Sequence, residues 1–355
     1  MGFKLKFGVA GTGSFTTRVV IPGLNASGLA SVVALFGRTR ERVAETASEY
    51  QIPNEFDSYE KMLELEELGA VAVCTPNFLH APMAEAALSA GKAVLLEKPL
   101  GLNSSETLRL AKRAAALGIG TAVNFTYRSM PPFVLAGEMI RAGEIGELIS
   151  GSINYCQANW ADPSLPLDWR MKAEHSGRGA LADLGSHVID LLLWYGGDVQ
   201  AVAGADSIAS GPRPVDGGAD AAPTASDNSA FICDLGGGRL FAFHLTKLAW
   251  GHGNQINITL VGTRGSLRLF HERGQEITVE VARSGEYEFT KVEIPPERQV
   301  AFPDFPAHHM RQVVRSLSGD AKFATFEDGH RAQCVIDAVG QSNSERRWVP
   351  VEMGL

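Results

Sequence analysis

Cysteine is scarce in this sequence, and the few cysteines present lie far apart. The chain has four in 355 residues, at Cys74, Cys156, Cys233 and Cys334, and no two of them form a Cys-x-x-Cys pair. Zinc knuckles and disulfide frameworks need clustered cysteines, so this spacing argues against both. Dispersed cysteines fit a reducing compartment, which predicts a cytoplasmic protein.

Long apolar runs and basic runs are also missing. The longest apolar candidate, VIDLLLWY at 188–195, is far too short to span a bilayer. The opening MGFKLKFGVAGTG enters a strand-like run without a cleavage signal, so we expect no secretory leader and no membrane partner. A net charge of −8 without a basic cluster argues against nucleic acid as a partner. A small anionic ligand needs only a local site and stays open.

The order of strand-like and helix-like segments predicts an α/β protein of two domains. In the first third, short apolar runs such as SVVALFG and GAVAVCTP alternate with helical segments such as RERVAETASEYQ. This alternation predicts a doubly wound parallel sheet of the Rossmann type over residues 1–125. Longer β-prone segments follow, and residues 126–355 are expected to form an α/β domain with a large open sheet, mostly antiparallel or mixed.

Two local interruptions are predicted as well. The segment FTTRVVIPGLNAS is expected to form a helix interrupted at Pro22. The turn-rich stretch SGPRPVDGGADAAPTASD, at 210–227, is expected to form an exposed loop.

The segment FGVAGTGSF predicts a dinucleotide site after the first strand. Gly11 permits a tight turn, and Gly13 lets a pyrophosphate approach the backbone at the start of the next helix, beside Ser14 and Phe15. Thr16 stands where a third glycine or alanine is usual. A simple turn is the alternative interpretation.

The end of the second strand indicates which dinucleotide is preferred. An NAD site usually has an acidic residue here to bind the ribose hydroxyls, whereas this chain has Arg38 and Thr39. Arg38 can pair with a 2′-phosphate and Thr39 can donate to it, which predicts NADP(H) in preference to NAD(H). Alternatively, Arg38 and Arg40 are solvated charges at the start of a helix.

Two further strand ends are predicted to line the cofactor. The relevant residues follow the runs VAVC and AVLL. They are Thr75, Pro76, Asn77 and His80 after the first run, and Glu97 and Lys98 after the second. Ligands of doubly wound sheets lie outside the carboxyl ends of the strands, where these residues fall. Loop packing is the alternative, and His80 can instead cap or pack in the following helix.

The segments GVAGTGSF, VAVCTPNFLHAPMAEAALSAGKAVLLEKPL and GALADLGSHVIDLLLW occur in that order. Together they resemble the glucose-fructose oxidoreductase and inositol dehydrogenase family (Gfo/Idh/MocA). The resemblance implies a Rossmann domain followed by an α/β domain whose open sheet often makes oligomer contacts, and hence a homodimer or homotetramer. It also implies NAD(P)-dependent oxidation of a sugar or polyol hydroxyl, or the reverse reduction, without a metal.

By this resemblance Lys98, Asp183 and His187 are the catalytic residues. Asp183 and His187 are spaced to share one helix face, and an imidazole is a suitable base for the hydroxyl proton. Asp183 can orient the ring or bind a substrate hydroxyl, and Lys98 can stabilise a developing alkoxide. The prediction requires the three to converge beside the nicotinamide. Alternatively, Asp183 is an N-cap, His187 a core histidine and Lys98 a surface lysine.

Substrate contacts are predicted from two further stretches. NFTYR places Asn124, Tyr127 and Arg128 at the expected domain junction, although a hinge would look similar. ANWADPSLPLDWRMKAEHSG is rich in tryptophan and charge, and Trp160, Trp169 and Arg170 are expected to line a polyol pocket unless this is an ordinary ordered loop.

The histidines of PAHHMRQ look exposed, and adjacent histidines do not suit a metal on a helix, so no metal site is expected. Two other functions stay open. One is a non-catalytic NAD(P)-binding regulator, and the other is an enzyme for a non-sugar diol or carbonyl.

Overall fold

The structure, a computed structural model, describes residues 4–354. Within them the chain divides into two compact units, the first formed by residues 4–130 and 300–330 and the second by Pro131–Gln299 and Arg331–Gly354. A domain boundary after residue 125 stays a prediction. Residues 1–3 and 355 of the two predicted domains lie outside the described range. No helix among the described residues is both long enough and apolar enough to cross a membrane.

A parallel sheet forms the centre of the first unit. Its strands are β1 (Leu5–Ala10), β2 (Ala30–Phe36), β3 (Asn54–Phe56), β4 (Ala70–Val73), β5 (Ala93–Leu96) and β6 (Thr121–Val123). Within the described residues the order is β3-β2-β1-β4-β5-β6, and every neighbouring pair is parallel. This is the strand order of a doubly wound dinucleotide-binding fold, so the predicted Rossmann class is confirmed.

Helices connect these strands. They are α1 (Ile21–Ala26), α2 (Arg40–Tyr50), α3 (Tyr59–Leu63), α4 (His80–Ser89) and α5 (Ser104–Leu117), joined in the same unit by α9 (Phe305–Leu317). The start of α5 is fixed by Asn103, whose side chain accepts from the backbone N–H of Glu106 at 3.0 Å. Such a cap satisfies one of the N–H groups that has no acceptor within the helix.

The first helix had been predicted to be interrupted at Pro22, but the proline does not break it. A π-helical turn, Thr16–Val20, leads into α1, and Pro22 lies in the first turn of α1. A proline is tolerated at this position because its ring is compatible with the start of a helix. The interruption is therefore a change of helical hydrogen bonding before the proline.

α9 packs on the first unit although it lies far along the sequence. A Cβ added at Gly23 of α1 would lie 2.6 Å from the carbonyl oxygen of Pro306, and one added at Gly120 would overlap the Leu317 carbonyl. Only glycine permits an approach this close. These two contacts explain why residues 300–330 belong to the first unit.

The second unit is built on a larger sheet. Its strands are β7 (Leu148–Cys156), β8 (Ala201–Ser207), β9 (Asn228–Asp234), β10 (Leu240–Thr246), β11 (Gln255–Gly262), β12 (Gly265–His271), β13 (Thr278–Arg283), β14 (Thr290–Lys291) and β15 (Val349–Pro350). The order among the described residues is β14-β13-β12-β11-β7-β10-β9-β8-β15. The β10–β7 pair is parallel and the other neighbouring pairs are antiparallel, which confirms the predicted mixed sheet.

One face of this sheet is buried and the other is open. Along β10 the side chains of Phe241, Phe243 and Leu245 are buried, whereas the residues between them are exposed. The helices of this unit are α6 (Pro131–Arg141), α7 (Ala173–Ser176), α8 (Ser186–Gly196) and the part of α10 (Phe326–Glu345) from Arg331 onward. α8 is apolar and buried over most of its length, so it belongs to the core.

The stretch 210–227 had been predicted to form an exposed loop. In the structure it is held by two buried residues near its ends. Arg213 is almost completely buried, and its guanidinium donates to the carbonyl oxygens of Trp160 and Asp162. Asp227 is also buried, and its carboxylate accepts from the backbone N–H groups of Ala209 and Ser210 at 2.9 and 2.8 Å. Between these anchors the continuous run 215–220 is exposed.

Two histidines are completely buried in the first unit. Burial lowers the pKa of His80 to about 4 and that of His309 to about 3, so both rings are neutral near neutral pH. His309 had been expected at the surface. Instead it stacks on Phe305 with ring centroids 5.7 Å apart and meets Phe323 edge-on, because α9 turns this side into the core.

We expect acid to destabilise the first unit through these histidines. An unfolded imidazole titrates near pH 6.5, so between about pH 6.5 and 3 the unfolded chain binds protons that folded His309 does not. Stability should therefore fall as the pH drops below about 6.5, by several kcal/mol in total. His309→Asn should flatten this dependence in thermal unfolding scans between about pH 7.5 and 4.5.

His308→Asn is the matched control. His308 is the neighbouring residue on α9 but is only half-buried, so its removal should change the acid dependence less. If both variants kept the wild-type slope, buried His309 would not be the source of the acid sensitivity.

Candidate functional site

The turn after β1 has the backbone geometry of a phosphate-binding loop. Gly11 has φ +118°, and a Cβ there would lie 2.9 Å from the carbonyl carbon of Cys74, so no other residue fits. Gly13 differs, because a Cβ there would find only Thr16 Oγ1, at 3.9 Å. Gly11 thus allows the turn, and the open space at Gly13 can admit part of a ligand.

A helix begins directly after this turn. The backbone N–H of Thr17 donates to the Gly13 carbonyl at 3.0 Å, and Ser14 and Phe15 are exposed in the first turn. N–H groups of a first helical turn have no acceptors within the helix and attract anions. The turn lies between β1 and β4, where the strand order reverses, which is where dinucleotides bind in such sheets. The residues present therefore fit a dinucleotide.

The end of β2 has no acidic side chain among Gly37, Arg38 and Thr39. Arg38 and Thr39 are exposed, and Thr39 precedes α2 without a capping side-chain hydrogen bond. Both side chains are thus accessible to a ligand at this strand end.

The loops after β4 and β5 are joined by His80. Its Nδ1 lies 2.7 Å from the Pro99 carbonyl oxygen and its Nε2 lies 2.9 Å from that of Thr75. A neutral ring can donate to only one of these carbonyls at a time. His80 had been predicted to line the cofactor, with packing as the alternative. Because its ring has no exposed surface, it packs instead and holds the two loops together. Asn77 is nearly buried in the same loop as Thr75 and Pro76.

A buried chain of hydrogen bonds leads to Glu97. The Asn124 amide nitrogen donates to the Glu97 carboxylate, and the Asn124 amide oxygen lies 2.5 Å from His309 Nε2. On the other side of the ring, His309 Nδ1 lies 2.7 Å from Ser129 Oγ. A carboxylate only accepts, so the Asn124 amide oxygen faces His309, and the ring carries its proton on Nε2. Asn124 had been predicted to contact substrate at an open surface. In the structure it is instead a buried link in this series of hydrogen bonds. Lys98, half-buried, follows Glu97.

Tyr127 and Arg128 are also packed within the first unit. Tyr127 is buried, and an Arg128 guanidinium nitrogen lies 3.0 Å from Asp328 Oδ1. Burial alone would raise the pKa of Asp328, but Arg128 and donors from Thr325 outweigh it and hold that pKa below its usual value. In the first unit Arg128 serves this ion pair, and its predicted contact with substrate stays a prediction.

In the second unit, Asp183 and His187 lie on either side of a change in helix type. A π-helical turn, Leu181–Gly185, leads directly into α8, so their four-residue spacing crosses the junction. Such widened turns are rare overall, and those that occur are often found at functional sites. Ala180 precedes the turn as its cap residue, so Asp183 is not the N-cap. The Asp183 side chain is 25 % exposed, and His187 is mostly buried.

The sequence analysis missed the ionic partner of Asp183. Lys247 Nζ, directly after β10, forms an ion pair with Asp183 Oδ2. The same ammonium lies 4.4 Å from the centre of the Trp160 ring, and Trp160 is itself buried. A single lysine within the apolar run FAFHLTKLAW was the available signal, because a lysine is seldom buried unless it is paired.

Trp169 and Arg170, which lie between β7 and α7, form a cation–π contact with each other. The Arg170 guanidinium lies 4.3 Å from the Trp169 ring centre and 3.2 Å from Asp168 Oδ2. Their predicted place in a polyol pocket stays a prediction. In the described part of the chain, no group of three or more His, Cys, Asp or Glu side chains is arranged to hold a metal ion.

The strand order, the glycine turn and the space at Gly13 define a dinucleotide-binding protein of the Rossmann class. Residues 5–125 match the oxidoreductase family with an NAD-binding Rossmann fold, and residues 133–268 match the GFO/IDH/MocA C-terminal domain. The chain belongs to the Gfo/Idh/MocA family and is an NAD-binding oxidoreductase, as the resemblance implied.

Named relatives cover most of the chain. Levoglucosan dehydrogenase of Pseudarthrobacter phenanthrenivorans is 29 % identical over 88 % of this chain and 87 % of its own length. D-xylose 1-dehydrogenase (NADP(+)) 2 of Haloferax volcanii is 30 % identical over 61 % of this chain and 68 % of its own. A solved levoglucosan dehydrogenase in complex with NADH and L-sorbose superimposes with a TM-score of 0.90 at 26 % identity, covering 98 % of this chain and 99 % of its own.

The two glycines of the turn should respond differently to alanine. Gly13→Ala should fold normally, because its Cβ finds open space, but should weaken binding of reduced cofactor about tenfold or more by blocking the approach of the pyrophosphate. Gly11→Ala should lower the melting temperature, because its Cβ overlaps the Cys74 carbonyl. Cofactor fluorescence titration and thermal unfolding measure the two effects. Wild-type affinity in Gly13→Ala would show that the cofactor does not approach this glycine.

Proposed function

We propose that this oxidoreductase transfers a hydride between a nicotinamide dinucleotide and a carbinol or carbonyl carbon of a sugar, inositol or related polyol. The observation that carries the proposal is the arrangement at the start of α8. There a partly exposed side chain, Asp183, lies in the π-helical turn and precedes His187, in the first turn of a largely apolar helix, by four residues. A sugar offers hydroxyl groups to such side chains, and the sugar-specific names of the relatives support this class.

The dinucleotide supplies the hydride acceptor or donor. His187 takes the proton of the reacting hydroxyl, since a neutral imidazole nitrogen accepts a proton. Asp183 accepts a hydrogen bond from a neighbouring substrate hydroxyl, and Lys98 donates to the reacting oxygen and stabilises its developing negative charge. In the reverse direction the same groups return the proton.

The cofactor contacts that we propose follow the strand ends of the first unit. Gly11, Gly13, Ser14 and Phe15 bind the pyrophosphate through the turn and the first helical N–H groups. The remaining contacts are assigned to Thr75, Pro76, Asn77, Glu97 and Lys98, with Arg38 and Thr39 at the ribose that carries a 2′-phosphate. NADP(H) is the preferred dinucleotide in this proposal, because no acidic residue follows β2 to repel that phosphate.

We also propose that the protein is a homodimer or homotetramer. The open face of the larger sheet carries exposed apolar residues, including Ile232 on β9 and Leu240 on β10. A second copy covering this face would remove those side chains from water. A monomeric mass by light scattering would refute it. The cytoplasmic location stays a prediction.

Turnover with a sugar panel tests the proposed function. We expect levoglucosan, D-xylose or myo-inositol to reduce NADP+ or NAD+, followed by absorbance of the reduced cofactor. His187→Ala should lower kcat by roughly a hundredfold or more while cofactor affinity persists, because only the base is lost. His308→Asn should keep wild-type turnover. Tight cofactor binding without turnover of any panel member would favour a non-catalytic regulator instead.

Arg38→Ala tests the dinucleotide preference. We expect the ratio of kcat/KM for NADP+ to that for NAD+ to fall about tenfold or more, since a charge-assisted contact to the 2′-phosphate is lost. Arg40→Ala is the matched control, because Arg40 is exposed at the first residue of α2. An unchanged ratio in Arg38→Ala, or an equal fall in Arg40→Ala, would contradict the assignment.

A further inference from the structure

We propose that Lys247 is a positioning residue that fixes the Asp183 carboxylate for substrate, an inference that depends on the proposed function. Lys247 belongs to the segment after β10, whereas Asp183 belongs to the π-helical turn before α8. Their ion pair therefore joins two separate parts of the second unit.

The two partners differ sharply in exposure. The Lys247 side chain is 2 % exposed and the Asp183 side chain is 25 % exposed. The ammonium thus contacts the carboxylate from within the protein, while about a quarter of the Asp183 side chain stays accessible from outside. A substrate hydroxyl can reach the carboxylate without displacing the lysine.

Lys247 is itself held in place by its surroundings. Its backbone N–H donates to the Asp227 carbonyl at 3.0 Å, and its own carbonyl accepts from the N–H of Trp160 at 3.0 Å. The Trp160 ring lies 4.4 Å from the ammonium, and a buried cation gains further stabilisation from an aromatic face. Arg213 fixes Trp160 in turn by donating to its carbonyl at 2.5 Å.

Stability alone is a poor explanation for this pair. Removing two charges from water costs free energy, and apolar residues in the same space are often as stable. In other ion pairs of this unit the basic side chain is more exposed to solvent. Arg331, the partner of Asp198, is 23 % exposed. Arg298, the partner of Glu138, is 34 % exposed. A buried lysine that points at a reachable carboxylate instead suits a group that must be held in one orientation.

A double-mutant cycle on the full-length enzyme tests this inference. Asp183→Asn and Lys247→Met should each lower kcat/KM about tenfold to a hundredfold for the panel sugar that the wild type turns over best. If Lys247 acts through Asp183, Lys247→Met should have no further effect in the Asp183→Asn background. The affinity for reduced cofactor should stay unchanged, and comparison of KM with kcat shows whether the carboxylate serves binding or the transition state.

Arg331→Met is the control, because it removes the basic partner of a more exposed ion pair and should leave kcat/KM unchanged. Thermal unfolding of every variant identifies losses that come from a failure to fold. If Lys247→Met does not fold, Lys247→Gln retains a donor, and the same lack of additivity with Asp183→Asn is expected.

Additive losses in the double variant, or wild-type kinetics in Lys247→Met, would overturn the positioning role and leave the proposed function intact. A wild type that turns over no sugar of the panel would instead overturn the proposed function, and the inference with it. The two failures are therefore distinguishable.

Discussion

A lysine ammonium that is almost fully buried needs a partner, and in the second unit Asp183 meets this need for Lys247. The contact joins the strand end after β10 to the π-helical turn before α8, and the Trp160 ring lies against the same ammonium. Because these elements meet at one ion pair, the orientation of Asp183 depends on segments that are distant in sequence. The apolar helix α8 then places His187 one turn further on.

Besides its ion pair, the first unit positions polar groups through hydrogen bonds of uncharged histidine, asparagine and serine side chains. The chain from Ser129 through His309 and Asn124 ends on Glu97, beside Lys98, and His80 joins the two loops that follow β4 and β5. Neutral rings avoid the cost of burying a charge, but they hold only while they stay unprotonated. The ion pair of the second unit has the opposite requirement, since each partner must stay charged.

Sequence periodicity predicted the parts of the fold that local patterns determine. The β-α alternation and the glycine turn sufficed for the Rossmann unit, because strand burial and turn geometry are written in neighbouring residues. Short edge strands such as β14 and β15 were missed, since two residues carry no usable period. The partnership of Lys247 with Asp183 and the packing of α9 on Gly23 were missed for another reason. Both arise from long-range contacts that no local pattern reports.

The same distinction explains which site residues could be named in advance. Gly11 lies in a local glycine motif that was enough to single it out, whereas Lys98 and His187 were singled out by the family resemblance and their catalytic roles stay predictions. His80 and Asn124 lie in motifs too, yet their burial gives them supporting contacts, which a motif alone does not distinguish from ligand contacts. A side chain that holds a loop and one that touches a ligand can share the same sequence pattern. The contacts that each side chain makes separate them, and those contacts are a property of the whole packed unit.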